Sequence, residues 1–284
     1  MAYKRQITVS CAPEWDDEVD VVCTDSGMAG LATAISAVEA DVEVFLADAP
    51  RVIADGSVPG WFVFGDDEAN AEYRHELTAD LDPEALVRRG PDLPVRRAGE
   101  LVPTRLRPRP PFEGPRLRQW TAECITSSSG FLYTQVTDWT SEMMDCGEGE
   151  LVKVTEIGSV TVDLDDPVGS VVDWLTAEAL DREVSLRPVR RFDRLVFEEG
   201  AVIGAVFSTD SGPLAIRAHH GVLVCRKSTA VVDDFYRSLS GTPEMRVALV
   251  GRDASRFGRV ELLTSDAQIA LPPPPTGAVT ISRS

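Results

Sequence analysis

Close cysteine pairs are absent from this sequence, and with them the usual basis of a zinc site or a dithiol redox centre. The 284 residues include five cysteines and three histidines, and no Cys-x-x-Cys spacing occurs. Both kinds of centre depend on such spacing. Widely spaced cysteines in odd number are instead typical of reduced thiols, and we therefore expect a cytoplasmic protein.

Long apolar runs are also absent. No stretch approaches the roughly 18 consecutive apolar residues that a membrane-spanning helix requires. Residues 1–10 contain no apolar core of a signal peptide. The sequence therefore predicts no association with a membrane.

Positive charge is scarce, because 28 Lys and Arg residues face 46 Asp and Glu residues and the net charge is −18. Nucleic acids and anionic membrane surfaces would be repelled, so neither is expected as a partner.

The G-x-S-x-G, H-E-x-x-H and Walker-type motifs are missing as well, which argues against the hydrolases and nucleotide-binding loops that carry them. The 43% of hydrophobic residues is typical of a folded protein.

What the sequence does contain is a β-α-β pattern near its start. Val19–Cys23 is a short apolar strand, Met28–Ala40 has apolar residues at helical spacing, and residues 42–46 form a second strand that ends before Asp48-Ala49-Pro50. Such a unit joins two parallel strands by a right-handed connection.

The later sequence predicts another helix and more strands. Pro167 to Glu183 is amphipathic, and apolar runs on both sides of Glu199-Gly200 predict a β-hairpin, which a strand over residues 216–224 follows. We therefore predict an α/β fold with a Rossmann-like domain, formed by a parallel sheet with helices and a β-hairpin or meander, and with an irregular inserted region.

The predicted boundaries follow changes in composition. Residues 17–50 and 168–228 form the two halves of the Rossmann-like domain, and residues 51–167 form the insertion, in which Asp66 or Asp67 is expected to cap a helix. The remaining segments are a leader over residues 1–16, a C-terminal segment over residues 229–271 and a Pro-rich tail over residues 272–284.

The turn between the first strand and its helix contains a partial dinucleotide fingerprint. The pattern G-x-G-x-x-G has three glycines; Gly27 and Gly30 occupy the second and third positions, and Asp25 stands at the first. Asp48 lies at the end of the second strand, where an acid can accept a hydrogen bond from a ribose hydroxyl. With Ser26, these residues are the candidate cofactor site.

Asp25 changes the chemistry expected of that site. A helix N-terminus attracts a pyrophosphate through its partial positive charge and its unpaired N–H groups. A carboxylate there can cap the helix itself, and it repels a pyrophosphate by about 1 kcal/mol in water or ~4 kcal/mol at an effective dielectric constant of 20. We expect a vestigial or weak site; the open alternative is that Asp25 turns outward and the cofactor still binds.

The segment from Glu18 to Ala34 (EVDVVCTDSGMAGLATA) resembles the opening of FAD-dependent enzymes of the fumarate reductase and 3-ketosteroid dehydrogenase type. The resemblance covers roughly residues 17–50 and 168–225. It implies an FAD-binding-type domain, FAD as cofactor and a flavin-dependent dehydrogenase reaction. Its second half rests on residues 171–184, 194–206 and 220–224, which are similar to the family's returning helix, hairpin and strand.

The sequence also departs from that family. Cys225-Arg226-Lys227-Ser228 replaces an Ala-Thr-Gly-Gly turn that contacts the flavin nucleotide, and Arg51–Ser57 lacks the family's Gly/Ser-rich run. Family members are much longer, and residues 51–167 show no cap-domain motif. The comparison with the family thus predicts a degenerate, truncated member that has lost FAD.

Our sequence-based hypothesis is a pseudoenzyme, a non-catalytic partner subunit of a complete flavin-dependent dehydrogenase of the ketosteroid or fumarate reductase type. The alternatives are an active FAD-binding subunit whose missing site residues come from a second chain, and a module that binds another small molecule. The segment 88–118, with nine Arg and seven Pro, is either an irregular basic loop or a docking segment for an acidic surface.

We predict no catalytic residue and no metal ligand. Tyr133 fits packing better than a role as an acid that stabilises an enol, and Ser127–Gly130 fits a polar turn better than an anion-binding nest. Asp163, Asp165 and Asp166 fit a turn that caps the following helix better than a cation site.

Overall fold

The described part of the chain forms a mixed α/β fold in which thirteen strands join one large sheet. The computed structural model describes residues 13–50, 60–86, 91–102, 114–135, 141–147, 150–227, 234–266 and 269–270. The strands are β1 (Asp17–Cys23), β2 (Val44–Asp48), β3 (Val95–Arg97), β4 (Glu100–Val102), β5 (Gly130–Tyr133), β6 (Glu142–Asp145), β7 (Leu151–Thr161), β8 (Leu186–Pro188), β9 (Arg191–Glu198), β10 (Ala201–Thr209), β11 (Gly212–Val224), β12 (Glu244–Gly251) and β13 (Phe257–Thr264). The helices are α1 (Met28–Glu39), α2 (Glu68–Thr78), α3 (Gly114–Thr126), α4 (Pro167–Asp181) and α5 (Asp234–Ser238).

The β-α-β unit predicted near the start of the chain is present. β1 pairs in parallel with β2 on one side and with β11 on the other, and β2 pairs in parallel with β8. Helix α1 is almost completely buried from Met28 to Ala37. Its many small side chains let it lie close to the sheet and to α4, with which it packs. This unit places the residues after β1 and β2 at one end of the sheet.

The predicted hairpin forms β9 and β10. Glu199 and Gly200 connect them with positive φ angles of 50° and 83°, the backbone shape of a tight turn that matches the twist of paired strands. β10 then pairs with β11, so that β9, β10 and β11 form an antiparallel meander. The helix caps are also where the sequence predicts them, since Asp67 caps α2 and Asp166 caps α4.

The prediction of a parallel sheet holds for only part of the observed sheet, and the prediction of an irregular insertion is wrong. Parallel pairing is confined to the strands around β1 and to β3 with β13, and the other pairings of the described residues are antiparallel. The insertion is also not irregular where it is described, because β5 pairs with β11 and β7 pairs with β12. The physical reason is that β7 has apolar residues toward both faces of the sheet, so that it buries them in two separate core clusters.

Several predicted segments lie outside the described residues. These are most of the leader, the stretch 51–57, residues 88–90 and 103–113 of the Arg/Pro-rich segment, Ser228, and the tail over residues 272–284. In the part of the chain that is described, no helix is long and apolar enough to cross a membrane.

Candidate functional site

Two glycines bring the loop after β1 against the loop after β11. A Cβ atom on Gly27 would lie 2.5 Å from the carbonyl oxygen of Arg226, and one on Gly30 would lie 1.9 Å from the carbonyl oxygen of Asp25. Both distances are too short for any larger residue unless the backbone moves. The glycines of the partial fingerprint are therefore required by the packing of the loops around the N-terminus of α1.

Thr24 and Cys225 fasten these two loops together. The Thr24 hydroxyl donates to the carbonyl of Cys225 at 2.9 Å and accepts from its N–H at 3.0 Å. The thiol of Cys225 donates to the carbonyl of Asp25 at 3.2 Å. All three residues are buried, so the loops hold one position and carry Lys227, two residues after Cys225, over the ends of β1 and β2.

Lys227 connects the two acids of the predicted site. Its backbone N–H donates to Oδ2 of Asp25 at 3.1 Å, and its ammonium group donates to Oδ1 of Asp48 and to the carbonyl of Ala49, the latter at 2.9 Å. The Ser26 hydroxyl donates to the same oxygen of Asp48. The structure thus brings Asp25, Ser26 and Asp48 together in one crevice, and Lys227 fills part of it.

The expectation that Asp25 caps α1 is wrong. The N-cap of α1 is Gly27, and no side chain accepts a hydrogen bond from the first turn there. Side chains cap from the N-cap position itself, and Asp25 stands two residues earlier. Its carboxylate accepts from Lys227 instead, because the loop after β11 offers an N–H group at that point.

The two carboxylates of the crevice differ in their electrostatics. Asp25 is only 4% exposed, and its Oδ1 is buried without a hydrogen-bond partner among the described residues. Burial raises the pKa of Asp25 to about 6, although the hydrogen bond and the charge of Lys227 act against this rise. Burial alone would also raise the pKa of Asp48, but hydrogen bonds from Lys227 and Ser26 hold that pKa below its usual value.

The sequence did not predict the role of Lys227. It marked this residue only as a bulky substitute for a glycine, whereas the structure pairs it with Asp48, 179 positions earlier in the chain. The available signal was a cation directly after a strand next to β1, at the edge where an acid was already expected. Strand pairing between β11 and β1 is needed to bring the two together.

The other candidates are engaged in internal contacts. The Tyr133 hydroxyl is hydrogen-bonded to Thr33 at 3.0 Å. Ser127 and Ser129 are hydrogen-bonded to each other at 2.9 Å, and Ser128 donates to Asp92, so this stretch is a polar turn. Among the residues that the structure describes, no three His, Cys, Asp or Glu side chains meet as a metal site.

No protein-family model and no curated protein matches this sequence. Two of the solved structures that are similar to it are a dehydrogenase and a halogenase. The 3-ketosteroid-delta4-(5alpha)-dehydrogenase from Rhodococcus jostii RHA1, in complex with 4-androstene-3,17-dione, is 17% identical, with a TM-score of 0.33 over 75% of this chain and 46% of the dehydrogenase. A myxobacterial chondrochloren halogenase, described as a variant of FAD-dependent halogenases, is 15% identical, with a TM-score of 0.27 over 71% of this chain and 36% of the halogenase.

The chain therefore spans less than half the length of either solved protein. Both TM-scores are too low for the likeness to carry an argument about this chain's site. The functional conclusion has to come from the crevice itself.

Proposed function

We propose that this chain is an FAD-dependent oxidoreductase-like protein whose nucleotide site is filled by its own side chains, and that it serves as a non-catalytic partner subunit of a complete flavin-dependent dehydrogenase. The observation that carries the proposal is Lys227, which connects Asp25 and Asp48 across the crevice. The parallel order β11-β1-β2-β8, with α1 after β1, supports a Rossmann-like arrangement.

The residues present do not fit FAD. An adenosine ribose would need Asp48 as a hydrogen-bond acceptor, but Oδ1 of Asp48 already accepts from both Lys227 and Ser26. A pyrophosphate at the N-terminus of α1 would meet Asp25, and two unit charges ~4 Å apart repel by about 4 kcal/mol at an effective dielectric constant of 20. We therefore assign no flavin chemistry to this chain.

The first test is the flavin content and the flavin affinity of the purified chain. We expect a colourless protein with no absorbance near 450 nm, and no quenching of FAD fluorescence when FAD is added. A yellow protein with one flavin per chain would contradict the proposal.

A second test reverses the filling of the crevice. The double change Asp25→Gly and Lys227→Ala removes the repelling carboxylate and the ion pair, so FAD should bind at least tenfold more tightly than to the wild type, as ~1.4 kcal/mol of relieved repulsion would give. Arg237→Ala removes an exposed cation on α5 and serves as the control, with no expected change in affinity. An equal gain in both variants would show that the crevice is not what excludes FAD.

The partner role needs a separate test, because the chain could lack FAD and still act alone. A tag on the chromosomal copy allows purification at the natural level, followed by identification of the associated chain and of its cofactor. We expect a second chain that carries stoichiometric flavin and that recovers this chain when it is tagged in turn. Recovery of the chain by itself in both directions would refute the partner role and leave the filled crevice intact.

One observation favours the second candidate, an active FAD-binding subunit completed by another chain. The Asp48 side chain is 37% exposed, and Oδ1 of Asp25 has no partner among the described residues, so the crevice retains unused polar groups. This candidate predicts that FAD binds only to the assembled pair and that Asp48→Ala in this chain abolishes the binding. Flavin that stays in the complex after Asp48→Ala would exclude it.

A further inference from the structure

A second polar cavity lies between α1, β7 and β12, and none of the crevice residues lines it. Its volume is about 60 Å³. On a scale where one water takes ~10–15 Å³, that is room for about four to six water molecules. Its hydroxyl-bearing wall residues are Thr33, Ser36, Tyr133, Ser141, Thr155 and Ser255.

The charge on the wall of this cavity is opposite to that of the chain. Lys153, Arg252 and Arg256 line it, and no carboxylate does so among the described residues. The whole chain has 46 acidic and 28 basic residues, so a wall with three cations and no acid is unusual for it. Lys153 is only 9% exposed and sits on β7, which holds its charge inside the fold.

Arg256 supplies positive charge that no carboxylate of the described chain neutralises. It donates to the Tyr73 hydroxyl at 3.1 Å and to the carbonyl of Thr134 at 3.4 Å, and its guanidinium lies over the Tyr73 ring. All these partners are neutral. Arg252 differs, because it donates to Glu150 at 2.6 Å.

Two polar atoms of residues that line the cavity have no hydrogen-bond partner among the described residues. They are the Ser141 hydroxyl oxygen and Nε of Arg252, and both are buried. Buried polar groups in native proteins are nearly always paired, and an unpaired one requires an explanation, of which a bound water or ion is one. Both atoms belong to residues of the cavity wall, which is where such a partner would be expected.

We propose that this cavity binds a small oxyanion through Arg252, Arg256 and Lys153, with Ser141 as an additional hydrogen-bond donor. Planar guanidinium groups match the paired oxygens of a carboxylate or a phosphate. The cavity has room for one such group but not for a nucleotide.

Inorganic phosphate and acetate are the probes that separate the two chemical classes. Each is titrated into the wild-type chain at constant ionic strength against chloride, with the midpoint of thermal unfolding and the heat of binding as readouts. A ligand that binds only the folded state raises the midpoint as its concentration increases. We expect saturable stabilisation by at least one of the two probes; stabilisation by neither beyond that of chloride would overturn the proposal.

Variants then locate the binding. Arg256→Gln should weaken the binding of the effective probe by at least tenfold, whereas Arg246→Gln, which removes a cation paired with Glu156 on the outside of the sheet, should leave it unchanged. If Arg256→Gln does not fold, Ser141→Ala tests the site instead. This variant should weaken binding of the effective probe about fivefold, the effect of one hydrogen bond. Unchanged affinity in a folded Arg256→Gln variant, or in Ser141→Ala where that variant does not fold, would refute the site.

Discussion

Two buried carboxylates of the same fold behave in opposite ways. Glu261 on β13 is 0% exposed and accepts hydrogen bonds from Arg96 at 2.5 Å and from Arg259 at 2.6 Å. Burial alone would raise the pKa of Glu261, yet the two guanidinium charges lower it to about 2. Asp25 is nearly as buried, has an unpartnered oxygen, and has its pKa raised to about 6.

The difference distinguishes a buried charge that stabilises the fold, Glu261, from one that does not, Asp25. Around Glu261 every charge has a partner, and the Trp120 ring lies within 5.3 Å of the Arg252 guanidinium and 5.0 Å of the Arg259 guanidinium. Asp25 instead destabilises the folded state when it is ionised. Asp25 thus departs from the usual full pairing of buried charged groups, a departure that proteins show mainly at functional sites.

The largest effect is expected from breaking the structural cluster. Glu261→Gln leaves two buried guanidinium groups without their shared counter-charge, so we expect a loss of about 3–5 kcal/mol in the free energy of unfolding. Urea unfolding at pH 7 measures it. Glu156→Gln, which disrupts an exposed pair with Arg246, is the matched control and should cost less than about 1 kcal/mol.

The same cluster sets a pH dependence. The pKa of Glu261 is lower in the folded chain than its ordinary value of 4.5, so its stabilising effect is complete above pH 4.5 and is lost as the pH falls toward about 2. The difference in the free energy of unfolding between the wild type and Glu261→Gln should therefore decrease below pH 4.5. A difference that is independent of pH would show that the charge of Glu261 is not the cause of the lost stability.

A smaller effect of opposite sign is expected from Asp25→Asn. Folding raises the pKa of Asp25 from 3.8 to about 6, so the folded chain binds a proton more tightly and the wild type loses stability as the pH rises through this window. At 1.36 kcal/mol for each pH unit the loss is at most about 3 kcal/mol. The variant should be more stable than the wild type at pH 7.5 and equal to it below pH 4.

Asp173→Asn, on the exposed side of α4, is the control for this comparison and should change stability by less than about 0.5 kcal/mol at either pH. If Asp25→Asn is destabilising at pH 7.5, the carboxylate is stabilised by its surroundings, and the contrast with Glu261 disappears.

Local pattern predicted the elements of this fold but not the way in which they assemble. The alternation and helical spacing that define β1, α1 and β2 lie within about thirty residues, and the cap of α4 is set by Asp166 directly before Pro167. The pairing of β5 with β11 and β13, and of β7 with β12, joins distant segments that contain no local signal for their partners.

The site was predictable to the same extent. Asp25, Ser26, Gly27, Gly30 and Asp48 could be named because they follow two predicted strands and their shared helix. The direction of the Asp25 side chain could not, because it depends on an N–H group from the loop after β11. The Glu261 cluster left no trace in the sequence, since Arg96, Glu150 and Glu261 meet only when the sheet is complete.

The smallest effect on stability is expected from Lys227→Met, and it tests how the crevice is held. The Lys227 and Asp48 side chains are 22% and 37% exposed, so solvent screens their ion pair and its loss should cost at most about 1 kcal/mol.

The effect of Lys227→Met on the pKa of Asp48 is larger, because the variant removes the hydrogen bond and the charge that lower this pKa. Carboxyl carbon NMR titration should then show a higher pKa for Asp48, and for Asp25 as well, since the charge of Lys227 also lowers that pKa. Lys227→Arg keeps the positive charge and is the control that should retain the low pKa of Asp48. If the pKa of Asp48 is the same in Lys227→Met as in the wild type, Lys227 does not fill the crevice. The contrast between the fully paired Glu261 cluster and the crevice would then no longer hold.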